Sequence, residues 1–171
     1  MRPAGLSSVR VVPRASMCRA APLLLLVACA CPSPGREQDR AELLRLHEVA
    51  RTAHLQKRAD LMVGPWEDSV LFVAAGQVTA RSSEESRTRF QSYFDRSTFQ
   101  AWDDIAPPML RISPDGRMAY KIVRKRVRLT SPDSAGRAVP EDVVYAWIEI
   151  YEKPRDRWVL TAVASTDRPG P

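Results

Sequence analysis

The last third of the chain holds three strand-like stretches in succession, Met118 to Thr130, Val143 to Glu152 and Trp158 to Ser165, each rich in β-branched and aromatic residues. Pro114-Asp-Gly116 turns the chain into the first, a loop from Pro132 to Pro140 joins it to the second, and Pro154-Arg-Asp156 makes the last turn. Neither connection can hold the crossover of about a dozen residues or more that adjacent parallel strands require. The three stretches therefore predict an antiparallel meander, and a doubly wound parallel sheet is excluded.

The first half reads differently. Glu37 to Asp60 contains neither Pro nor Gly, and Leu43, Leu46, Ala50 and Ala53 recur at three- and four-residue spacings with Leu61 beyond them. One long amphipathic helix follows, closed by Gly64-Pro65, with Trp66-Glu-Asp68 as a brief second turn. Val70 to Ala75 and Val78 to Ala80 predict a hairpin about Gly76-Gln77. Ser82 and Ser83 followed by Glu84 and Glu85 predict the N-cap and acidic first turn of a helix running to about Asp95, which buries Phe90 and Phe94 at i and i+4. Phe99 to Ile112, broken by Pro107-Pro108, reads as an edge strand or an extended pair. Helices, hairpin, helix and meander in that order give an α+β domain, with helices on one face of a curved sheet.

A length of 171 residues suits one domain. The net charge of +6 suggests a polyanion partner until it is divided by position. Five of the 26 Lys and Arg precede residue 37, where there is no acid; the remaining 21 face all 20 Asp and Glu. The basicity thus belongs to a leader, and nucleic-acid binding is not indicated. Within that leader, Ala20 to Ala28 is apolar. As a helix it reaches about 13 Å, well short of the roughly 30 Å of a bilayer's hydrocarbon, so it reads as an export signal and not a span. Leu26-Val-Ala-Cys29 resembles the bacterial lipobox, which implies cleavage before Cys29 and lipidation of its thiol. Met17 serves as a start as well as Met1 does, with the same mature chain. The expected organisation is a signal over 1–28, a tether over 29–36 that includes Pro32-Ser-Pro-Gly-Arg36, and one domain over 37–171. All three cysteines, Cys18, Cys29 and Cys31, precede residue 32, so the domain can hold neither a disulfide nor a cysteine zinc site.

Several features of residues 40–168 occur in a familiar order. They are Ala59-Asp60 closing the first helix, the hairpin Val70 to Thr79, Ser83-Glu-Glu-Ser86, Phe99-Gln-Ala-Trp-Asp-Asp-Ile105, Ser113 to Tyr120, and the closing Trp158 to Ser165. Together they resemble the nuclear transport factor 2-like superfamily, in its SnoaL-like and ketosteroid-isomerase-like branch. The resemblance implies a cone-shaped half barrel, a curved antiparallel sheet wrapped around the N-terminal helices. Its concave side encloses an apolar pocket, and its convex face commonly pairs two copies into a homodimer. None of these motifs is a catalytic fingerprint, and such cones serve isomerases, cyclases, hydratases and plain binding proteins alike.

The residues themselves supply the pocket candidates. Trp66, Phe72, Phe90 and Phe94 from the first half and Trp102, Tyr145 and Trp147 from the second are many large aromatics for one small cone, a lining suited to a flat or lipidic ligand. Tyr120 and Tyr145 are candidate donors to a ligand oxygen. His47 and His54 are the only histidines; seven residues apart on a helix they stand about 10.5 Å from each other along its axis, too far to share one small metal ion. His54 is the one that can dip into the cone mouth, both being expected at the half-buried flank of the apolar stripe. No metal and no cofactor are expected: phosphate loops, dinucleotide fingerprints and HExxH are absent, as is a GxSxG elbow.

Ketosteroid isomerase works with an Asp base and an oxyanion hole built from a Tyr and a protonated Asp. The resemblance directs the search for such a base to Ser69 to Ser83, where no carboxylate stands. Asp103 and Asp104, beside Trp102, are expected to face solvent or cap a turn. Lys121, Arg124, Lys125, Arg126 and Arg128 read as a solvated strand edge, Lys121 and Lys125 on one face and the three arginines on the other. The expected function is a lipid-anchored, exported, non-catalytic module whose pocket binds a small apolar molecule. Two alternatives stand beside it. One is an isomerase, cyclase or hydratase using Asp103 or Asp104 with Tyr120, Tyr145 or His54; the other is a protein-interaction module working through the convex face. The passive reading requires a hollow without a buried carboxylate beside a hydroxyl donor.

Overall fold

The element order follows from where the apolar pattern changes period. In the computed structural model, which describes residues 34–170, α1 (Pro34–Leu55) and α2 (Ala59–Val63) precede a hairpin of β1 (Trp66–Ala74) and β2 (Gln77–Ser82). Then come α3 (Ser83–Arg96), β3 (Thr98–Asp104), β4 (Met109–Ile112), β5 (Met118–Pro132), β6 (Ala138–Glu152) and β7 (Val159–Pro169). The expected signal segment and Cys29 lie outside the described residues.

The expected long helix is two helices. Lys57 adopts φ 56°, Arg58 N–H donates to Ala53 O at 2.8 Å, and Lys57 N–H donates to His54 O at 3.3 Å. That is a Schellman stop with lysine where glycine is usual, so nothing in the residue types announces it. Leu61 consequently sits on α2. The helix also starts earlier than expected, with Pro34 and Gly35 inside the first turn and not in a tether, because proline is well suited to the first helical position. Trp66-Glu-Asp68 opens β1 and makes no helical turn. The hairpin turns on Ala75-Gly76, both with positive φ, one residue before the expected turn. Ser82 caps α3 in a capping box with Glu85.

Seven strands form one sheet in the order β2-β1-β7-β6-β5-β3, with β4 also on β5. All pairs are antiparallel except β1 with β7, which the helices and the other strands separate in sequence. β5 is therefore an interior strand, flanked by β6 on one side and by β3 and β4 on the other. Its burial alternates strictly, with Ala119, Lys121, Val123, Lys125, Val127 and Leu129 facing inward. The helices cover that inner face, and Leu43 and Leu46 of α1 share a buried core with Ala119 of β5 and Leu110 of β4. This is the α+β architecture expected, a curved open sheet with helices on its concave side.

Candidate functional site

Rungs across the sheet fix which side chains look inward. Phe72 stands beside Val163, Val163 beside Glu149, Glu149 beside Lys121, and Lys121 beside Leu110. One rung on, Trp147 stands beside Val123, and the next brings Tyr145 beside Lys125. Alternation along β6 puts Tyr145, Trp147, Glu149 and Tyr151 on the same inner face.

Between this face and the helices lies a cavity of about 280 Å³. α1 contributes Ala50 and His54, α2 Met62, and α3 Phe90 and Tyr93. The sheet contributes Trp66 and Phe72 from β1, Trp102 from β3, Tyr145, Trp147 and Glu149 from β6, and Val163 from β7. Seven of the nine expected pocket residues thus meet: His54, Trp66, Phe72, Phe90, Trp102, Tyr145 and Trp147. Phe94 does not line the cavity; it is fully buried behind His54 with ring centroids 5.0 Å apart. Tyr120 points to the convex side and is exposed, because it is out of phase with Lys121.

Glu149 overturns the expectation of a hollow without a carboxylate. It is buried, and all its bonds are short: Oε1 accepts from Trp147 Nε1 at 2.7 Å and Oε2 from the Tyr151 hydroxyl at 2.6 Å. Lys121 Nζ lies 2.6 Å from Oε2 and also 3.1 Å from the Tyr151 oxygen. Burial alone would raise the carboxyl's pKa, but the ammonium of Lys121 and the three hydrogen bonds outweigh it and hold Glu149 below its ordinary range. Burial meanwhile drives the Tyr151 phenol well above its own. The pattern that could have revealed Glu149 is an acid in phase with Tyr145 and Trp147 and flanked by two isoleucines, directly opposite Lys121.

His54 is buried too, not half-buried as expected. Its Nδ1–H donates to Ala50 O at 2.7 Å, its ring stacks on Trp102 at 4.2 Å, and its Nε2 has no hydrogen bond among the described residues. Desolvation, aided by the charge of Lys125, lowers its pKa to about 4, so the ring is neutral at physiological pH and offers Nε2 as an acceptor. Tyr145, whose pKa burial raises, is a protonated donor in the same wall.

A second ion cluster lies beyond Trp102. Lys125 Nζ is 2.7 Å from Asp104 Oδ1 and 4.0 Å from the Trp102 ring centroid, and His47 Nε2 donates to Asp104 Oδ2 at 2.8 Å. Asp104 is therefore neither a turn cap nor a solvated acid, whereas Asp103 does face solvent, with Arg51 at 3.2 Å. Neither lines the cavity. Burial would raise the Asp104 carboxyl, but its bonds to Lys125 and His47 hold it below the usual range. His47, Glu48 and Asp104 bring three donor atoms within 4.8 Å of one another, and both Asp104 oxygens are engaged, Oδ1 by the ammonium of Lys125 and Oδ2 by His47. The reading of Lys121 and Lys125 as a solvated edge is corrected: they are 1% and 0% exposed on an interior strand.

Solved structures superpose on this fold. An NTF2-like protein from Cytophaga hutchinsonii superposes with a TM-score of 0.58 at 15% identity, over 74% of this chain and 96% of that one. The fold is nuclear transport factor 2-like. A ketosteroid isomerase-like protein from Erwinia carotovora gives 0.55 at 15% identity, over 76% of this chain and 96% of that one. The association domain of C. elegans CaMKII gives 0.51 at 16%, over 77% and 98%. No protein-family model and no curated protein matches the sequence. At these identities the nuclear transport factor 2-like likeness establishes the fold and nothing further.

Proposed function

We propose that the chain is an exported, lipid-anchored binding protein whose nuclear transport factor 2-like cavity takes a small, flat, largely apolar molecule carrying one hydrogen-bond donor. The observation that carries this reading is the lining: aromatic rings from α1, α3, β1, β3 and β6, with the one spare lone pair on Oε1 of Glu149 and the neutral Nε2 of His54 as acceptors among them. About 280 Å³ exceeds the roughly 150 Å³ that holds a benzene and lies near the roughly 300 Å³ lower edge of ordinary ligand pockets, which suits one or two fused rings. Calorimetry with 2-naphthol and naphthalene tests it. One site per chain and tighter binding of the naphthol support the reading, with that preference lost in Trp147→Phe/Glu149→Gln; no binding of either overturns it. The anchor rests on the lipobox-like Leu26 to Cys29, and labelled palmitate should enter the wild type and not Cys29→Ser.

Glu149 favours a second reading, acid/base isomerisation. In it the carboxylate would carry a proton from the α to the γ carbon of a β,γ-unsaturated ketone while Tyr145 donates to the carbonyl. Glu149 beside the Tyr151 hydroxyl is the buried pair that the passive reading required to be absent, so that requirement fails; what weighs against catalysis is the lowered pKa, since an acid pinned by three donors is a weak base at neutral pH. Conversion of 3-cyclohexenone to 2-cyclohexenone, present in the wild type and lost in Glu149→Gln, would replace the binding reading with this one.

Self-association has its own support. On the convex face Leu71, Ala162, Ile150 and Tyr120 form one rung and Val73, Ala164, Ile148 and Ile122 the next, with Leu71, Val73 and Tyr120 exposed. One similar structure is an association domain by name. Sedimentation at micromolar concentration should give a dimer that Leu71→Lys/Val73→Lys dissociates.

A further inference from the structure

A second hollow opens beside the first, between the β1–β2 hairpin and α3. It measures about 680 Å³ and shares Phe72, Phe90 and Tyr93 with the central cavity, so those three rings border both. Its chemistry is the reverse of its neighbour's. Arg81 from β2 and Arg89 and Arg96 from α3 line it, and no carboxylate does. None of the three guanidinium groups takes part in an ion pair among the described residues: Arg81 lies 4.9 Å from the centroid of Phe72, and Arg96 Nε donates to Ser92 O at 3.1 Å. The acids near them are already engaged, Glu85 in the capping box with Ser82 and Glu84 in a pair with Arg87 at 2.6 Å. Ser86 also lines the hollow; it is 2% exposed, and its Oγ has no hydrogen-bond partner among the described residues. A buried hydroxyl without a partner costs stability unless something arrives to meet it.

We propose that this groove receives the oxyanion head of an amphiphilic ligand whose apolar body occupies the central cavity. The inference rests on the binding reading above and adds the charge of the ligand to it. Three guanidinium groups line one concave surface without an ion-pair partner among the described residues, the charge of Glu85 reaching Arg81 and Arg89 only from outside the lining, and a planar fork fits a carboxylate or a phosphate through two parallel bonds. Phe72 links the two compartments physically, with one side in the aromatic cavity and its ring beneath Arg81. An anion alone would leave the aromatic hollow empty, and a hydrocarbon alone would leave the arginines and Ser86 unmet.

The test is calorimetry on the full chain with decanoate, decyl phosphate, decan-1-ol and inorganic phosphate, repeated for Arg89→Gln/Arg96→Gln and for Ser86→Ala. Arg89 and Arg96 are exposed helix residues, so the double variant keeps the fold, which circular dichroism checks. The proposal expects both anionic amphiphiles to bind at least about tenfold tighter than decanol. It expects that advantage to shrink with salt and to vanish in the arginine variant, while decanol affinity stays unchanged. Comparing decanoate with decyl phosphate then tells which head the site prefers. Decanol binding as tightly as decanoate, or weakening equally in the variant, overturns the proposal and leaves the apolar cavity standing. If neither alcohol nor acid binds, this proposal falls, and the naphthol titration decides separately whether the cavity reading stands. Inorganic phosphate matching decyl phosphate in affinity overturns the coupling of head to body.

Discussion

Two inward lysines four residues apart on β5 make an instructive pair. Lys121 and Lys125 share a strand, a face and near-complete burial, and each finds a carboxylate within 2.7 Å. Lys121 meets Glu149, whose side chain is 11% exposed and lines the cavity; Lys125 meets Asp104, whose side chain is 25% exposed and does not. The first cluster lies wholly within the sheet, with Trp147 and Tyr151 as its other donors. The second reaches across to His47 and so ties α1 to β3 and β5. Equal charges on equal scaffolding thus divide into one group facing a ligand space and one group stitching the layers together, and access to water decides how much each depends on its lysine.

Lys121→Met tests that contrast most severely. It strands an ionised Glu149 in the interior and should cost about 3–5 kcal/mol in urea unfolding. Lys121→Met/Glu149→Leu should recover most of it, since removing both charges together leaves nothing unpaired. If the single variant unfolds at the wild-type midpoint, the pair is not the buried anchor described here.

The histidine between the clusters gives the next effect. Its folded pKa of about 4 lies below an unfolded value of about 6.5, so the unfolded chain binds the extra proton between those limits. Stability from His54 is complete above pH ~6.5 and is lost as the pH falls towards 4, by roughly 3 kcal/mol in all. The carboxylates add to this only lower down: with depressed folded pKa values, Glu149 and Asp104 contribute fully above their ordinary range near 4 and lose that contribution as the pH falls through their folded values. Urea melts at stepped pH should therefore lose the upper part of the slope in His54→Phe and keep the lower part.

Lys125→Met should cost less than its neighbour, about 1–3 kcal/mol, because water reaches Asp104 and His47 remains bonded to it. Equal losses for the two lysine variants would erase the distinction between the clusters. Trp147→Phe, which removes one of three donors to Glu149, should cost least, about 1–2 kcal/mol in the same melts, and a value as large as that of Lys121→Met would move the anchor from the lysine to the indole.

The fold was legible because its signals are local. Period-2 patterning over 118–165, Ser82 with Glu85, and Phe90 with Phe94 each act through neighbours in sequence. The stop at Lys57 was not, since the residue carries no steric preference for the positive φ it adopts. The aromatic cavity was largely legible for the same reason that aromatics are seldom spared from a small core. Its charged members were not. A lysine-rich strand reads as a surface until its partner strand's register is known, and only the pairing of Lys121 with Glu149 and of Lys125 with Tyr145 turns it inward. Tyr120 shows the converse: one step out of phase places a plausible donor on the convex face.

A crystal structure of the chain grown with 2-naphthol tests the central claim most directly. The account predicts the fused rings between Phe72, Phe90 and Trp147, with the naphthol hydroxyl donating to Glu149 or to Nε2 of His54. A hollow closed by side chains, or a naphthol bound only elsewhere on the protein, would contradict it.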